Sequence, residues 1–173
     1  MKELVKSKFR IIPDFPKPGI VFRDITTVIK DKDAFNAVIA YFADLYKDKN
    51  IDYVAGMEAR GFIFGAALAS RLGCGFVCIR KPGKLPYKTI SETYELEYGT
   101  DSLEIHEDAI EDGKKVILID DLLATGGTAK AGYNLITRLG GCVEAIAFVI
   151  ELADLNGRDK LPKNVQVDAM ISV

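Results

Sequence analysis

The 173-residue sequence predicts an α/β protein with a central, mostly parallel sheet flanked by helices. Three observations point there. Short apolar runs alternate along the chain with amphipathic segments, the pattern of parallel strands joined through helices. The amphipathic segments carry their apolar residues at helical spacing. The length suits one domain rather than two, and such a chain buries roughly 70% of its unfolded surface without staples.

The elements follow in order. Segments 53–57, 75–79, 116–120 and 145–150 read as buried strands, and 165–171 as a final one. Phe35, Val38, Ile39, Phe42, Leu45 and Tyr46 make one face of a helix over 33–48 apolar. Gly65, Leu68, Ala69 and Leu72 do the same in a helix beginning near Gly61. Gly132, Leu135, Ile136 and Leu139 stripe a third helix, which Gly140-Gly141 stops.

Two segments break this rhythm. Pro13, Pro16, Pro18 and Gly19 force an irregular path ahead of 20–24. From Lys81 to Asp112, about thirty residues lack an alternating helix, and 93–98 alternates like a short β ribbon. An insertion of that length in a compact domain is commonly functional, often a lid.

With 23 basic and 25 acidic residues the net charge is −2, a poor match for a duplex-binding surface, so nucleic acid is not an expected partner. The longest apolar stretch, 145–150, is far short of the roughly 18 residues of a membrane span. The first fifteen residues hold no continuous apolar segment of the secretory kind. Cys74, Cys78 and Cys142 lie among apolar residues, and the sole histidine, His106, sits in a charged stretch. Buried free thiols in a reducing cytoplasm are expected rather than a zinc site.

Chemistry concentrates at the run Val116-Ile-Leu-Ile-Asp-Asp-Leu-Leu-Ala-Thr-Gly-Gly-Thr128. Ligands of open α/β sheets bind beyond the carboxyl ends of strands. Here a buried strand is followed by two carboxylates and then by a small turn opening a helix. Gly126 and Gly127 let a phosphate approach backbone N–H groups, and Thr125 and Thr128 add hydroxyl donors. The helix N-terminus contributes about 0.3–1 kcal/mol toward an anion. A carboxylate about 4 Å from a phosphate charge is repelled by roughly 4 kcal/mol at an effective dielectric near 20. Asp120 and Asp121 therefore need donors of their own, and the hydroxyl pair of a ribose supplies them, with magnesium able to share the load. The arrangement suits a ribose 5-phosphate. A tight turn with an aspartate cap would use the same residues. The P-loop and dinucleotide fingerprints do not occur at a strand-to-helix turn.

This run resembles the phosphoribosyl pyrophosphate signature of the phosphoribosyltransferases. The form Asp120-Asp-Leu-Leu-Ala-Thr-Gly-Gly-Thr128 is similar to that of the adenine enzymes within the family. The similarity extends from about Phe9 to Ala153 and departs at the C-terminal run Ile171-Ser-Val173, where the last strand is least defined. It implies a type I phosphoribosyltransferase fold over residues 1–173, with an N-terminal hood at about 1–30 and a flexible lid loop at about 81–112. It implies transfer of phosphoribosyl from its pyrophosphate to adenine, giving AMP and pyrophosphate, with Mg2+ as cofactor held through substrate and waters. A cytoplasmic homodimer is implied as well.

Site residues follow from the same resemblance. Asp120, Asp121, Ala124, Thr125, Gly126, Gly127 and Thr128 would hold the ribose phosphate. The turn of Glu58, Ala59, Arg60 and Gly61, which follows one strand and opens a helix, would hold pyrophosphate and carry a cis peptide between its first two residues. Read alone, it is equally a helix start with Glu58 set against the dipole. Arg80, Lys81 and Lys84 follow the next strand; three cations around a turn also suit a solvated face. The resemblance assigns pyrophosphate contacts to this turn, with Lys81 and Lys84 preferred. Glu95 and Glu97 read as the outer face of a ribbon, yet the family's Glu-Tyr-Gly lid makes Glu97 the acid for purine N7 and Tyr98 its cover. Val21, Phe22 and Arg23 would hold adenine, with Phe22 stacking on the base and Leu122 close by; Phe22 in a core is the other reading. A hypoxanthine–guanine or xanthine enzyme, and a non-catalytic sensor of the sugar phosphate, are the rival functions.

Overall fold

The computed structural model describes residues 1–96 and 99–173. In chain order, α1 (Lys2–Lys8) leads into the hairpin of β1 (Arg10–Ile12) and β2 (Phe22–Asp24), followed by α2 (Thr26–Lys30) and α3 (Lys32–Tyr46). Then come β3 (Tyr53–Met57), α4 (Arg60–Leu72) and β4 (Gly75–Ile79). A separate ribbon pairs β5 (Thr89–Glu95) with β6 (Thr100–His106) before β7 (Lys115–Leu123), α5 (Gly127–Arg138) and β8 (Cys142–Glu151). Two short 3-10 turns, Ala153–Leu155 and Gly157–Lys160, precede β9 (Gln166–Ser172).

The main sheet has the order β4-β3-β7-β8-β9, with every pairing parallel. From β3 the chain moves outward to β4, then returns to the other side of β3 as β7. The switch point therefore falls between the carboxyl ends of β3 and β7, where open sheets of this kind bind ligands.

Alternation along the strands divides the core. Val54, Ile117, Ile119, Ala145, Ala147 and Val149 face α2, α3 and α4. Ala55, Met57, Val116, Leu118, Ile146 and Phe148 face the opposite way, toward α5 and the ribbon. Leu103, Ile105 and Ile110 are buried in that second core, so the second half of the 81–112 segment is anchored.

Several boundaries differ from expectation. β7 does not stop at Asp120 but runs to Leu123, because β8 offers partners as far as Glu151: Asp120 pairs with Phe148 and Leu122 with Ile150. The ribbon is longer than expected, since Thr89 to Glu95 finds a full complement in Thr100 to His106. The N-terminal segment holds a helix, α1, which buries only Val5. The cysteines are free, but they are not fully buried: Cys74 and Cys78 are half-buried, and Cys142, opening β8, is exposed. No helix among the described residues is long and apolar enough to cross a membrane.

Candidate active site

Two strand-to-helix turns meet at the switch point. The first follows β3 and consists of Glu58, Ala59, Arg60 and Gly61, with a cis peptide between Glu58 and Ala59. The second follows β7 and consists of Ala124, Thr125, Gly126 and Gly127. Neither α4 nor α5 has a side-chain cap at its N-terminus. Helix α3, remote from the site, is capped by Asp31, whose carboxylate accepts from the N–H groups of Asp33 and Ala34. Among the described residues, the first N–H groups of α4 and α5 thus have no capping side chain.

The turns are cross-linked. Arg60 Nε donates to Asp121 Oδ2 across 2.5 Å, and Asp121 is 7% exposed. A Cβ on Gly61 would stand 3.0 Å from Asp120 Oδ1, so a side chain there would press on that carboxylate. Asp120 Oδ1 accepts the Asp121 N–H at 2.8 Å. Although part of the Asp120 residue surface remains accessible, desolvation of its carboxylate and the adjacent Asp121 charge hold its pKa well above the usual carboxylate value. A ribose hydroxyl pair, or a cation, would relieve that repulsion.

Asp120 and residues 122–129 line a cleft of about 80 Å³. Gly126 opens α5 with φ +82°, a left-handed value that favours glycine. It is packed from behind: a Cβ there would fall 2.2 Å from the Gly157 carbonyl oxygen, and one on Gly157 would fall 2.2 Å from that of Ala124. Gly157, between the two 3-10 turns, therefore braces the turn after β7. Nothing local in the sequence marked it.

In the cationic turn after β4, two of the three cations are engaged by carboxylates. Arg80 reaches back to Glu58 Oε2 through Nη2 at 3.0 Å and Nε at 3.3 Å. Glu58 Oε1 also accepts the Lys81 N–H. Burial would raise the Glu58 pKa, but the Lys81 N–H and the Arg80 charge outweigh it and hold the carboxyl below its ordinary value. Glu58 and Arg80 thus brace the two turns against each other. Lys81 Nζ donates to Asp101 and to the Tyr94 hydroxyl, both on the ribbon. Lys84 is exposed, and its carbonyl accepts from Arg80 Nη1 at 3.3 Å.

In the hood, Phe22 is half-buried, belongs to neither core, and meets Phe15 edge-to-face with ring centroids 5.2 Å apart. Val21 is half-exposed. Side chains of consecutive strand residues leave on opposite faces, and Arg23 lines a separate apolar recess with Ile150 and Ile171. Leu122, the register partner of Ile150, lines the cleft at the end of β7. The Arg60 charge also reaches Asp24 of β2, whose carboxyl is held low chiefly by Thr26. Glu97 and Tyr98 lie outside the described residues.

Known proteins give the class first: residues 26–172 match the family described as the phosphoribosyl transferase domain. An adenine phosphoribosyltransferase of Halothermothrix orenii is 59% identical over 157 residues, spanning 91% of this chain and 92% of that protein. The crystal structure of adenine phosphoribosyltransferase from Thermoanaerobacter pseudethanolicus superposes with a TM-score of 0.95 at 53% identity, covering 100% of both chains. The Saccharomyces cerevisiae enzyme, solved with an imino-altritol bisphosphate and adenine, gives 0.92 at 40% identity, covering 98% of this chain and 97% of that one. The chain belongs to the adenine phosphoribosyltransferase family.

Proposed function

We infer that the protein transfers the phosphoribosyl group of phosphoribosyl pyrophosphate to adenine, giving AMP and pyrophosphate in purine salvage. The observation that carries this is the Arg60–Asp121 bond, which joins the two strand-end turns into one site. On this reading Ala124 to Thr128 take the 5-phosphate through N–H and hydroxyl donors, while Asp120 and Asp121 accept from the ribose hydroxyls. Arg60, Gly61, Lys81 and Lys84 face the pyrophosphate, and Glu58 holds their turns in place. Phe22 and Leu122 receive adenine with their side chains, and Val21 and Arg23 meet the base edge through their backbone groups. Phe22 suits this role because it lies outside both cores.

Adenine N9 attacks the anomeric carbon as the bond to pyrophosphate breaks. The reaction needs positioning and charge stabilisation more than covalent help from the protein. Glu97 takes the proton from N7 of the N7–H tautomer of adenine as N9 bonds to the anomeric carbon, and returns it as the acid in the reverse direction; Tyr98 covers the reactants. Magnesium, when bound, offsets charge on the pyrophosphate. The donors fit such an ion: Mg2+ is typically held by one or two carboxylates together with phosphate oxygens and waters, and Asp120 and Asp121 stand beside the phosphate cleft.

A cytoplasmic homodimer belongs to the same reading, on the family resemblance; sedimentation at twice 19.0 kDa checks the assembly. The reaction itself is tested by mixing protein, Mg2+, adenine and phosphoribosyl pyrophosphate and identifying products by mass. AMP and pyrophosphate in equal amounts are expected. Tight binding of the sugar phosphate without product would favour a sensor.

A further inference from the structure

We propose that Asp101 and Tyr94, on the ribbon, are positioning residues that hold the Lys81 ammonium for the departing pyrophosphate. The proposal rests on the pyrophosphate reading of Lys81.

Tyr94 and Asp101 are directly paired across β5 and β6, so their side chains share one face of the ribbon. Lys81 Nζ donates to Asp101 Oδ2 and, at 3.1 Å, to the Tyr94 hydroxyl. The same hydroxyl lies 3.3 Å from Asp101 Oδ2 and closes a triangle. An ammonium has three N–H donors. Among the described residues two are engaged, and the third is the one offered to an anion.

Tyr94 also connects the two ends of the site. Its ring centroid is 5.7 Å from Lys81 Nζ, while its Cδ2 lies 3.3 Å from where a Cβ on Gly127 would be, at the first turn of α5. One side chain therefore spans from the pyrophosphate lysine to the start of the phosphate-binding helix. The backbone of the cationic turn is tied to the same ribbon. Arg80 and Glu104 exchange two backbone hydrogen bonds of 2.9 and 2.7 Å, and Glu104 Oε2 accepts the Gly83 N–H at 3.1 Å. Both the backbone around Lys81 and its ammonium head are thus held before any anion arrives.

Fixing matters for lysine in particular, because its charge sits on a flexible four-carbon stem. A cation held in place lowers the barrier without being ordered during the reaction. Asp101 has a second effect of opposite sign on binding, since its negative charge repels the polyanionic substrate. Its loss should therefore lower kcat without raising the KM for the sugar phosphate.

The test is steady-state kinetics on Asp101→Ala, Asp101→Asn, Tyr94→Phe, Lys81→Ala and the double variant Lys81→Ala/Asp101→Ala. The expected result is a kcat about tenfold lower for Asp101→Ala, with KM for phosphoribosyl pyrophosphate unchanged or lower. The double variant should lose no more than Lys81→Ala alone, to within about twofold. Asp101→Asn and Tyr94→Phe, which keep the side-chain shape, should fall between wild type and Asp101→Ala. If Lys81→Ala is impaired while Asp101→Ala, Asp101→Asn and Tyr94→Phe match wild type, Lys81 acts unaided and the proposal fails. Additive losses in the double variant would likewise overturn it, because Asp101 would then act through the fold. Wild-type kinetics for Lys81→Ala would remove the pyrophosphate reading of Lys81 itself.

Discussion

Arg60 opens α4 just after β3, and Asp121 lies on the neighbouring strand β7, sixty-one positions away in the chain; their side chains meet at 2.5 Å. The contact holds the guanidinium of one turn by means of a carboxylate on the strand that leads into the other. Asp121→Asn keeps the shape and removes the charge. The affinity for phosphoribosyl pyrophosphate should fall about 10- to 100-fold, as expected for losing a charged hydrogen bond of about 1.5–3 kcal/mol. Calorimetric titration checks this; unchanged affinity would count against the ribose role of Asp121.

Gly157 touches no substrate on this account, yet it supports the phosphate turn. An added methyl would fall 2.2 Å from the Ala124 carbonyl oxygen, which is backbone and cannot swing aside. Gly157→Ala should cost about 1–3 kcal/mol and lower the melting temperature by several degrees. It should also raise the KM for the sugar phosphate, because the carbonyl it displaces belongs to the turn. A normal melting temperature with a normal KM would show that the brace is dispensable.

Glu58 provides a test in pH. Its folded-state carboxyl is held below the ordinary value, so the unfolded chain takes up a proton first as acid is added. The stabilisation is fully present above the unfolded value of about 4.3, and it is lost as pH falls through the lower folded value. The melting-temperature gap between wild type and Glu58→Gln should be open at pH 7 and close below about pH 4. A gap independent of pH would mean that the Glu58 charge does not hold the two turns.

Much of this was legible in the sequence, for a physical reason. The main strands are short apolar runs and the helices α3, α4 and α5 bury stripes at helical spacing, and both patterns are local properties of the chain. The two ligand turns were legible as well, because glycines and acids follow buried strands there. Contacts between distant segments were not. Asp101 reads as one more polar residue on a ribbon, and only the pairing of β5 with β6 brings it to Lys81, twenty positions away. Gly157 likewise carries no local mark, since its need for a bare Cα comes from Ala124. The extension of β7 through two aspartates was hidden by their chemistry and is explained by the length of β8.

Glu97 is assigned a proton that moves in the transition state, so its loss should act on turnover rather than binding. Glu97→Gln should lower kcat by about 10²–10⁴-fold with little change in either KM. Equal turnover would end the assignment of N7 proton transfer to Glu97.

The acceptor base is the claim on which the whole account converges, and a base panel measures it most directly. Wild-type protein with Mg2+ and phosphoribosyl pyrophosphate is given adenine, hypoxanthine, guanine or xanthine in turn, and pyrophosphate release is followed. The account predicts rapid release with adenine and little with the three oxopurines. Turnover with an oxopurine while adenine stays inert would contradict it.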